Sequence, residues 1–337
     1  MLGRTIAWML PALCVLGCAS RTVVGTVQVP ATVPLRTFPH ILVASGHQPS
    51  EILLASELVA HLQSARSDQD VRRVSRDQLE PMRQRGEIPV ASVVVLVELD
   101  ARSRTRTRFS TRPETVCGPT GCFTRNRTDS YDVPTLFAQT RITVFEGPSA
   151  RVLQRLSLDV TEEGRGYDRM RDRAVRRLAV RLKNLVDARV EQVRVRLLDV
   201  NTPAVEQALL EMEEGRWREG RVRLERFVRG DGLSPLSSSD RARVYYDLAM
   251  ARRFDPVSLE RDPERHFQAA EAPLQRAIRL DPAPLYDEAL RALRRHRSHF
   301  VVLQEQEQAA EHNYQLRGQT TIPPPETLPT PPPGYGQ

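Results

Sequence analysis

The apolar residues in the first half of the chain follow strand and helix spacings in turn, and this order predicts a sheet with helices packed on it. "FPHILVAS" has the composition of a short buried strand, and "PSEILLASELVAHLQSA" follows it with its apolar residues on one helical face. "DVRRVS" predicts a brief strand and "RDQLEPMRQRG" a short helix. "PVASVVVLVELDA" is a nearly continuous β-branched run, which predicts the middle strand of the sheet at residues 91–101.

Polar alternation then predicts a long β-hairpin at residues 102–132. Together with "LFAQTRITVFE" and "RVLQRLSLDVTE" it gives three antiparallel strands. A long helix follows, with leucines at three- and four-residue spacings, and "EQVRVRLLDV" alternates like a strand. We therefore predict an α+β domain at residues 38–200, with a mixed, mostly antiparallel sheet and helices on a face.

From residue 201 the periodicity is helical, and two segments share one spacing. A small residue lies where two helices cross, because helix backbones approach closely only without a bulky side chain. The residues of this spacing are Gly215, Trp217, Gly220, Leu224 and Phe227 in the first segment and Ala270, Leu274, Ala277 and Pro282 in the second. The pattern resembles the tetratricopeptide repeat, which implies an all-α repeat domain at 201–317 with these residues in its core. We expect "DPVSLERDP" to insert a long loop, and a terminal helix to cap the stack with Leu290, Leu293 and residues 300–303. An unrelated helical bundle is the alternative.

The N-terminus carries Arg4 and then an apolar run too short to span a bilayer comfortably, which predicts a secretory signal. In "VLGC" the small residue Gly17 precedes Cys18, and this stretch resembles the lipobox of bacterial lipoproteins. The resemblance implies that residues 1–17 are removed and that Cys18 is lipidated. Ala19 in the next position favours the outer membrane. The alternatives are an ordinary signal peptide or a core helix with an incidental cysteine.

A lipoprotein is exported, which implies an oxidising compartment for the remaining cysteines. Cys14 leaves with the signal and Cys18 is acylated, so Cys117 and Cys122 remain as free thiols, with the turn "GPTG" between them. We expect them to form a disulfide across the base of a hairpin turn. The alternative is half of a metal site, but no second cysteine pair or nearby histidine completes four ligands.

The order of elements in the α+β domain resembles the periplasmic domains of curli-secretion lipoproteins and of Tol-system proteins. The curli resemblance implies hairpins that contribute to an outer-membrane pore, but a lipid-facing strand face must be apolar. Here arginines fill one face, and we select four as candidate contacts to an anionic partner, either lipid headgroups or polysaccharide: Arg104, Arg106, Arg108 and Arg112. The alternative is a solvated edge whose charges prevent aggregation.

Composition and the absence of known motifs argue against nucleic-acid binding and against enzymatic function. The formal charge is +7, but basic residues alternate with acidic ones and aromatic residues amount to 5%, which argues against nucleic-acid binding. No Gly-rich phosphate loop, HExxH or Gly-x-Ser-x-Gly motif occurs, so we predict no enzyme, no catalytic residue, no cofactor and no metal. His296 and His299 lie one helical turn apart among arginines, and we expect a surface pair.

These expectations combine into a hypothesis about function. We expect an outer-membrane lipoprotein, anchored by its N-terminal lipid and facing the periplasm. Its helical repeats act as a non-enzymatic scaffold for envelope protein partners. The alternative is a subunit of an outer-membrane export channel for protein or polysaccharide. We expect residues 18–37 to be a linker and residues 318–337, which are rich in proline, to be a disordered tail.

Overall fold

The computed structural model describes residues 20–65, 68–119 and 121–317, and these fall into two compact units. The sheet unit comprises residues 30–189 and 301–317, and the helical unit comprises residues 20–29 and 190–300. The predicted signal segment, the predicted lipidation site Cys18 and the predicted tail lie outside the described residues.

In chain order, the strands and helices are β1 (Ser20–Val29), β2 (His40–Ser45), α1 (Pro49–Ala65), β3 (Asp70–Ser75), α2 (Arg76–Gln84), β4 (Ser92–Gly118), β5 (Gly121–Glu146), β6 (Val152–Glu163), α3 (Tyr167–Val186), β7 (Arg189–Leu198), α4 (Pro203–Glu213), α5 (Trp217–Arg229), α6 (Ser238–Arg253), α7 (Pro256–Arg261), α8 (Pro263–Leu280) and α9 (Pro284–Leu316). This content confirms the predicted α+β class and the helical C-terminal region.

The sheet unit is built on five strands in the order β3-β2-β4-β5-β6. Strand β2 runs parallel to β3 and β4, whereas β4, β5 and β6 are antiparallel to one another. Val93 and Val95 of β4 face the cluster made with α1 and α3, and Val94 and Leu96 face a smaller cluster with α2. The start of β4 is buried on both faces, which is why its sequence is continuously apolar rather than alternating.

The helical unit includes two strands that the sequence assigned elsewhere. Strand β1 lies in the predicted linker, and it pairs with β7, which the sequence placed at the end of the sheet domain. Val23 and Val27 of β1 belong to the same core cluster as Val195 and Leu197 of β7. The predicted boundaries of the linker and of both domains are therefore wrong, because β1 and β7 bury their apolar faces among the helices.

The helices of this unit pack in succession, α4 on α5, α5 on α6, and α6 on α8. The segment expected as a long loop contains α7, which begins at Pro256 with Asp255 as its N-cap. The residues of the predicted cap differ in burial, since Leu293 is buried in the core of the helical unit and Leu290 packs against it. Phe300 packs against the core of the helical unit, but Val301 and Val302 belong to the sheet unit and are substantially exposed.

Candidate functional site

The helical unit contains a pocket of about 390 Å³ formed by residues of β7, α6 and α9. Five arginines line it, namely Arg194 and Arg196 of β7, Arg253 of α6, and Arg291 and Arg295 of α9. Among the described residues, Glu288 is the acidic side chain of this lining. We call this site the Arg253 pocket, and its five arginines and one glutamate give it a strongly positive lining.

Arg253 is the buried member of the set, with 6% of its surface exposed. Its Nε atom has no hydrogen-bond partner, and its guanidinium forms no ion pair with any residue in the described part of the chain. The Cζ atom lies 4.8 Å from the centroid of the Phe254 ring, in a cation–π contact. Burial, with repulsion from Arg295, lowers the pKa of Arg253 to about 10, so the group is charged at neutral pH.

Helical periodicity explains why an arginine is buried at this position. Tyr246, Met250 and Arg253 are spaced by four and three residues and therefore lie on one face of α6. Tyr246 and Met250 are buried in the core of the helical unit. Arg253 is the last residue of α6 and continues their stripe, so an ionised group occupies a place where the pattern predicts an apolar one.

The other four arginines of the pocket form an exposed rim around Arg253. Like that of Arg253, their guanidinium groups form no hydrogen bond or ion pair with the described residues. Exposed arginines near carboxylates pair readily, as Arg297 does with Glu264 at 2.6 Å and Arg294 with Glu271 at 2.7 Å on the neighbouring helical surface. The Arg253 pocket therefore concentrates positive charge that its acidic lining residue, Glu288, compensates only in part.

A second cleft in the same unit, of about 600 Å³, has five arginines and three acidic residues in its lining, and two of these arginines form ion pairs within it. Arg221 donates to Asp255 at 2.8 Å, and Arg252 donates to Glu225 at 3.0 Å. Burial opposes the ionisation of Glu225, but Arg252 and Arg221 outweigh it and lower the pKa of that carboxyl. These arginines have fixed carboxylate partners and are not free to bind an external anion.

A hydroxyl and an imidazole also meet in this second cleft. The Ser258 hydroxyl donates to the Asp255 carbonyl oxygen at 3.2 Å and lies 2.7 Å from Nδ1 of His266. Burial lowers the pKa of His266, so its ring is neutral at neutral pH. The contact joins α7 to α8, and Nε2 of His266 has no hydrogen-bond partner among the described residues.

The first set of predicted repeat residues lies at the turn between α4 and α5. Gly215 has a φ of +78°, a conformation that favours glycine, and it ends α4. The Trp217 ring is buried, with its centroid 4.9 Å from that of Phe254. At Gly220 an added Cβ would lie 2.6 Å from Met212 Cγ and 2.9 Å from the Ala208 carbonyl oxygen. The two helices therefore cross at Gly220 with no room for a side chain.

The remaining repeat residues differ in burial. Leu224 of α5 and the α8 residues Ala270, Leu274 and Ala277 are fully buried in one core cluster. Phe227 packs against this cluster and is partly buried. Pro282 lies in the turn between α8 and α9, where it is exposed and adds nothing to the core.

The four candidate arginines of the hairpin divide into two pairs. Arg108 binds Glu163 at 2.5 Å and Arg112 binds Asp129 at 3.2 Å, so both are compensated within the sheet unit. Arg104 and Arg106 are exposed and have no partner among the described residues. The spacing of the four arginines along the hairpin made them look equivalent. It does not show that Glu163 of β6 lies beside Arg108.

The hairpin register aligns the two arms residue against residue. Arg112 lies opposite Arg127, Glu114 opposite Arg125, and Cys117 opposite Cys122. The two cysteine sulfurs form a disulfide at the tip of the hairpin. Tyr131 lies opposite Arg108, and Phe123 lies opposite Val116. Both aromatic residues therefore lie on the same face of the hairpin as the arginines, which the sequence analysis did not predict.

His296 lies differently from the prediction, and the importance of Arg253 was not predicted. His296 is buried rather than part of a surface pair, and its ring centroid lies 5.2 Å from that of Phe267. Burial, with repulsion from Arg253, lowers the pKa of His296 to about 3. Arg253 itself was not selected, although its spacing from Tyr246 and Met250 was a signal present in the sequence.

The described part of the chain offers no group of three or more histidine, cysteine or acidic side chains arranged to hold a metal ion. Within the same residues, every helix is too short or too polar to cross a membrane.

No protein-family model and no curated protein sequence matches the chain. Among solved structures, the PelC dodecamer from Paraburkholderia phytofirmans is similar at 14% identity and a TM-score of 0.27, covering 50% of this chain and 99% of that one. A structure described as a homolog of neuraminyllactose-binding hemagglutinin, from Helicobacter pylori, is similar at 9% identity and a TM-score of 0.28, covering 47% of this chain and 87% of that one.

Proposed function

We propose that this protein is a lipid-anchored outer-membrane lipoprotein that acts as a non-enzymatic scaffold for a cell-envelope complex. The observation that carries the proposal is the position of Cys18, directly after Gly17 at the end of a short apolar segment. A thiol is needed for the thioether to diacylglycerol, and a small preceding residue admits the signal peptidase. Each buried methylene of an acyl chain contributes about 0.8 kcal/mol, so several chains together anchor the protein stably.

The helical unit supports the scaffold part of the proposal. Its helices pack in succession and cross closely at Gly220, which is how tetratricopeptide-like arrays build a surface for an extended segment or helix of another protein. The disulfide between Cys117 and Cys122 agrees with export to an oxidising compartment. Because of its helix packing, we assign the partner-binding role to the helical unit.

The anchor is tested with a matched pair of cysteine variants. Cells expressing the full chain are fed an alkyne fatty acid, and the purified protein is assayed for label. We expect Cys18→Ser to abolish labelling and to release the protein from the membrane fraction. Cys14→Ser, in the same apolar segment, retains both. Equal labelling of both variants, or an unlabelled wild type in the cytosol, contradicts the proposal.

The scaffold role is tested with a matched pair of glycine variants. Gly220→Leu places a side chain against the Ala208 carbonyl oxygen and disrupts the α4–α5 crossing. Gly118→Leu makes the same change in the sheet unit, where nothing lies within 4 Å of the added Cβ. Crosslinked pull-down from intact envelopes is expected to lose its specific partners only with Gly220→Leu. Retention of the same partners by a Gly220→Leu protein with a disordered helical unit contradicts the role.

A second candidate is a subunit of an outer-membrane export channel, favoured by the length of the hairpin. Its exposed arms, residues 102–117 and 122–132, leave the sheet without covering elements, and the longer arm spans roughly 50 Å at the strand rise of about 3.4 Å per residue. Native mass spectrometry of the detergent-extracted chain decides between the two. A ring-sized oligomer supports the channel, whereas a monomer contradicts it.

A further inference from the structure

The Arg253 pocket has a charge that the described residues do not compensate. A buried guanidinium without a carboxylate partner has lost its hydration and gains no ion pair in return. The Phe254 ring at 4.8 Å offsets only part of this cost. The nearby His296 is neutral and does not add positive charge. The chain therefore retains, at the end of α6, a charged group that folding alone disfavours.

The pocket around this group is built for more than one contact. Its arginines come from three separate elements, β7, α6 and α9. The lining carries five positive charges and one negative charge, Glu288. A carboxylate carries a single negative charge, and its two oxygens accept hydrogen bonds mainly within one plane. A phosphoryl group carries up to two negative charges, and its oxygens diverge tetrahedrally toward several donors.

We propose that the Arg253 pocket binds a phosphoryl oxyanion, either as free phosphate or as the terminal group of a phosphate monoester. Arg253 supplies a buried donor, and the rim arginines supply exposed donors. The pocket lies in the helical unit, and we expect anion binding there to need neither the lipid anchor nor a protein partner. It therefore adds a ligand to the proposed function rather than restating it.

The test measures binding of inorganic phosphate to the full-length chain by isothermal titration calorimetry, in a phosphate-free buffer at constant ionic strength. Glycerol phosphate in a second arm shows whether a monoester binds in the same place, and acetate in a third arm tests a carboxylate. We expect saturable binding of phosphate or of the monoester, with acetate at least about tenfold weaker.

Variants assign the binding to the pocket. We expect Arg253→Met, which removes the charge but keeps an unbranched side chain, to weaken binding by roughly tenfold to a hundredfold. Arg253→Lys keeps the charge but loses the fork, and is expected to be intermediate. Arg218→Met is the control, because this exposed arginine lies in the same unit but lines the second cleft.

A second variant covers the case in which Arg253→Met fails to fold. Arg291→Gln with Arg295→Gln changes two exposed rim residues that have no partner to lose among the described residues, and it is expected to fold and to weaken binding at least about tenfold. Absence of saturable binding, binding unchanged by both sets of variants, or acetate binding as tight as phosphate each overturns the proposal.

Discussion

The buried carboxyl of Asp247 gives a sharp test of the core of the helical unit. Asp247 is 0% exposed, and its Oδ1 atom accepts the Leu198 backbone N–H at 3.0 Å, whereas Oδ2 has no hydrogen-bond partner among the described residues. Burial raises the pKa of this carboxyl well above its usual value, with Asp199 adding repulsion, although the bond from Leu198 opposes the shift. The native state therefore holds a proton that the unfolded chain loses at lower pH.

The sign of the pH dependence follows from that difference. Above the unfolded pKa of about 3.9, the unfolded state releases its proton while the native state keeps it, so the free energy of unfolding falls as pH rises. The slope from this one group approaches about 1.4 kcal/mol per pH unit and disappears above the native pKa. Asp247→Asn keeps an acceptor for Leu198 and has no proton to lose, so its contribution does not vary with pH.

The assay is urea unfolding at several pH values, followed by tryptophan fluorescence. In a chain that carries Trp8→Phe, Trp217 is the remaining tryptophan, and it is buried in the core cluster of the helical unit. We expect the wild type to lose stability relative to Asp247→Asn as pH rises from about 4. Parallel pH profiles for the two proteins would refute the reasoning, because they would mean that Asp247 has the same pKa in both states.

Two further predictions concern other parts of the fold. Gly220→Ala gains about 1 kcal/mol of helix propensity but forces a Cβ to within 2.9 Å of the Ala208 carbonyl oxygen, so we expect a net loss of about 1–2 kcal/mol in the same fluorescence assay; an increase in stability contradicts the close crossing. Replacing both Cys117 and Cys122 with serine removes about 2 kcal/mol of loop constraint from an exposed tip. We expect faster proteolysis at the tip with an unchanged urea midpoint for Trp217, and an unchanged cleavage rate contradicts this expectation.

Local sequence patterns predicted the elements whose structure is set by residues close together in the chain. The β-branched run at residues 91–101 indicated the middle of a sheet, and β4 lies between β2 and β5. Gly220 was selected for its place in a helical spacing, and the crossing it permits joins two helices separated by a short turn. In each case a few adjacent residues contain the information that fixes the structure.

The pairing of β1 with β7 did not follow from local pattern. The segment "RTVVGTVQV" alternates as a strand does, with Val23 and Val27 buried, but valine and threonine beside the nearby prolines were equally typical of a linker. What makes it a strand is β7, more than 150 residues later in the chain, and the helices that cover both. Long-range pairing of this kind decides where domains begin and end, which is why the predicted boundaries failed.

The arginines of this chain differ in whether a carboxylate of the same chain pairs with them. In the second cleft Asp255 and Glu225 hold their arginines, and on the hairpin Glu163 and Asp129 do the same. A high arginine content therefore says little by itself, since many of these side chains have internal partners. The arginines of the Arg253 pocket have no such partners in the described part of the chain, and one of them is buried at a cost to stability. A cost that internal charges leave uncompensated is most simply offset by an external anion, and it is this physical imbalance, rather than positive charge as such, that distinguishes the pocket from the rest of the surface.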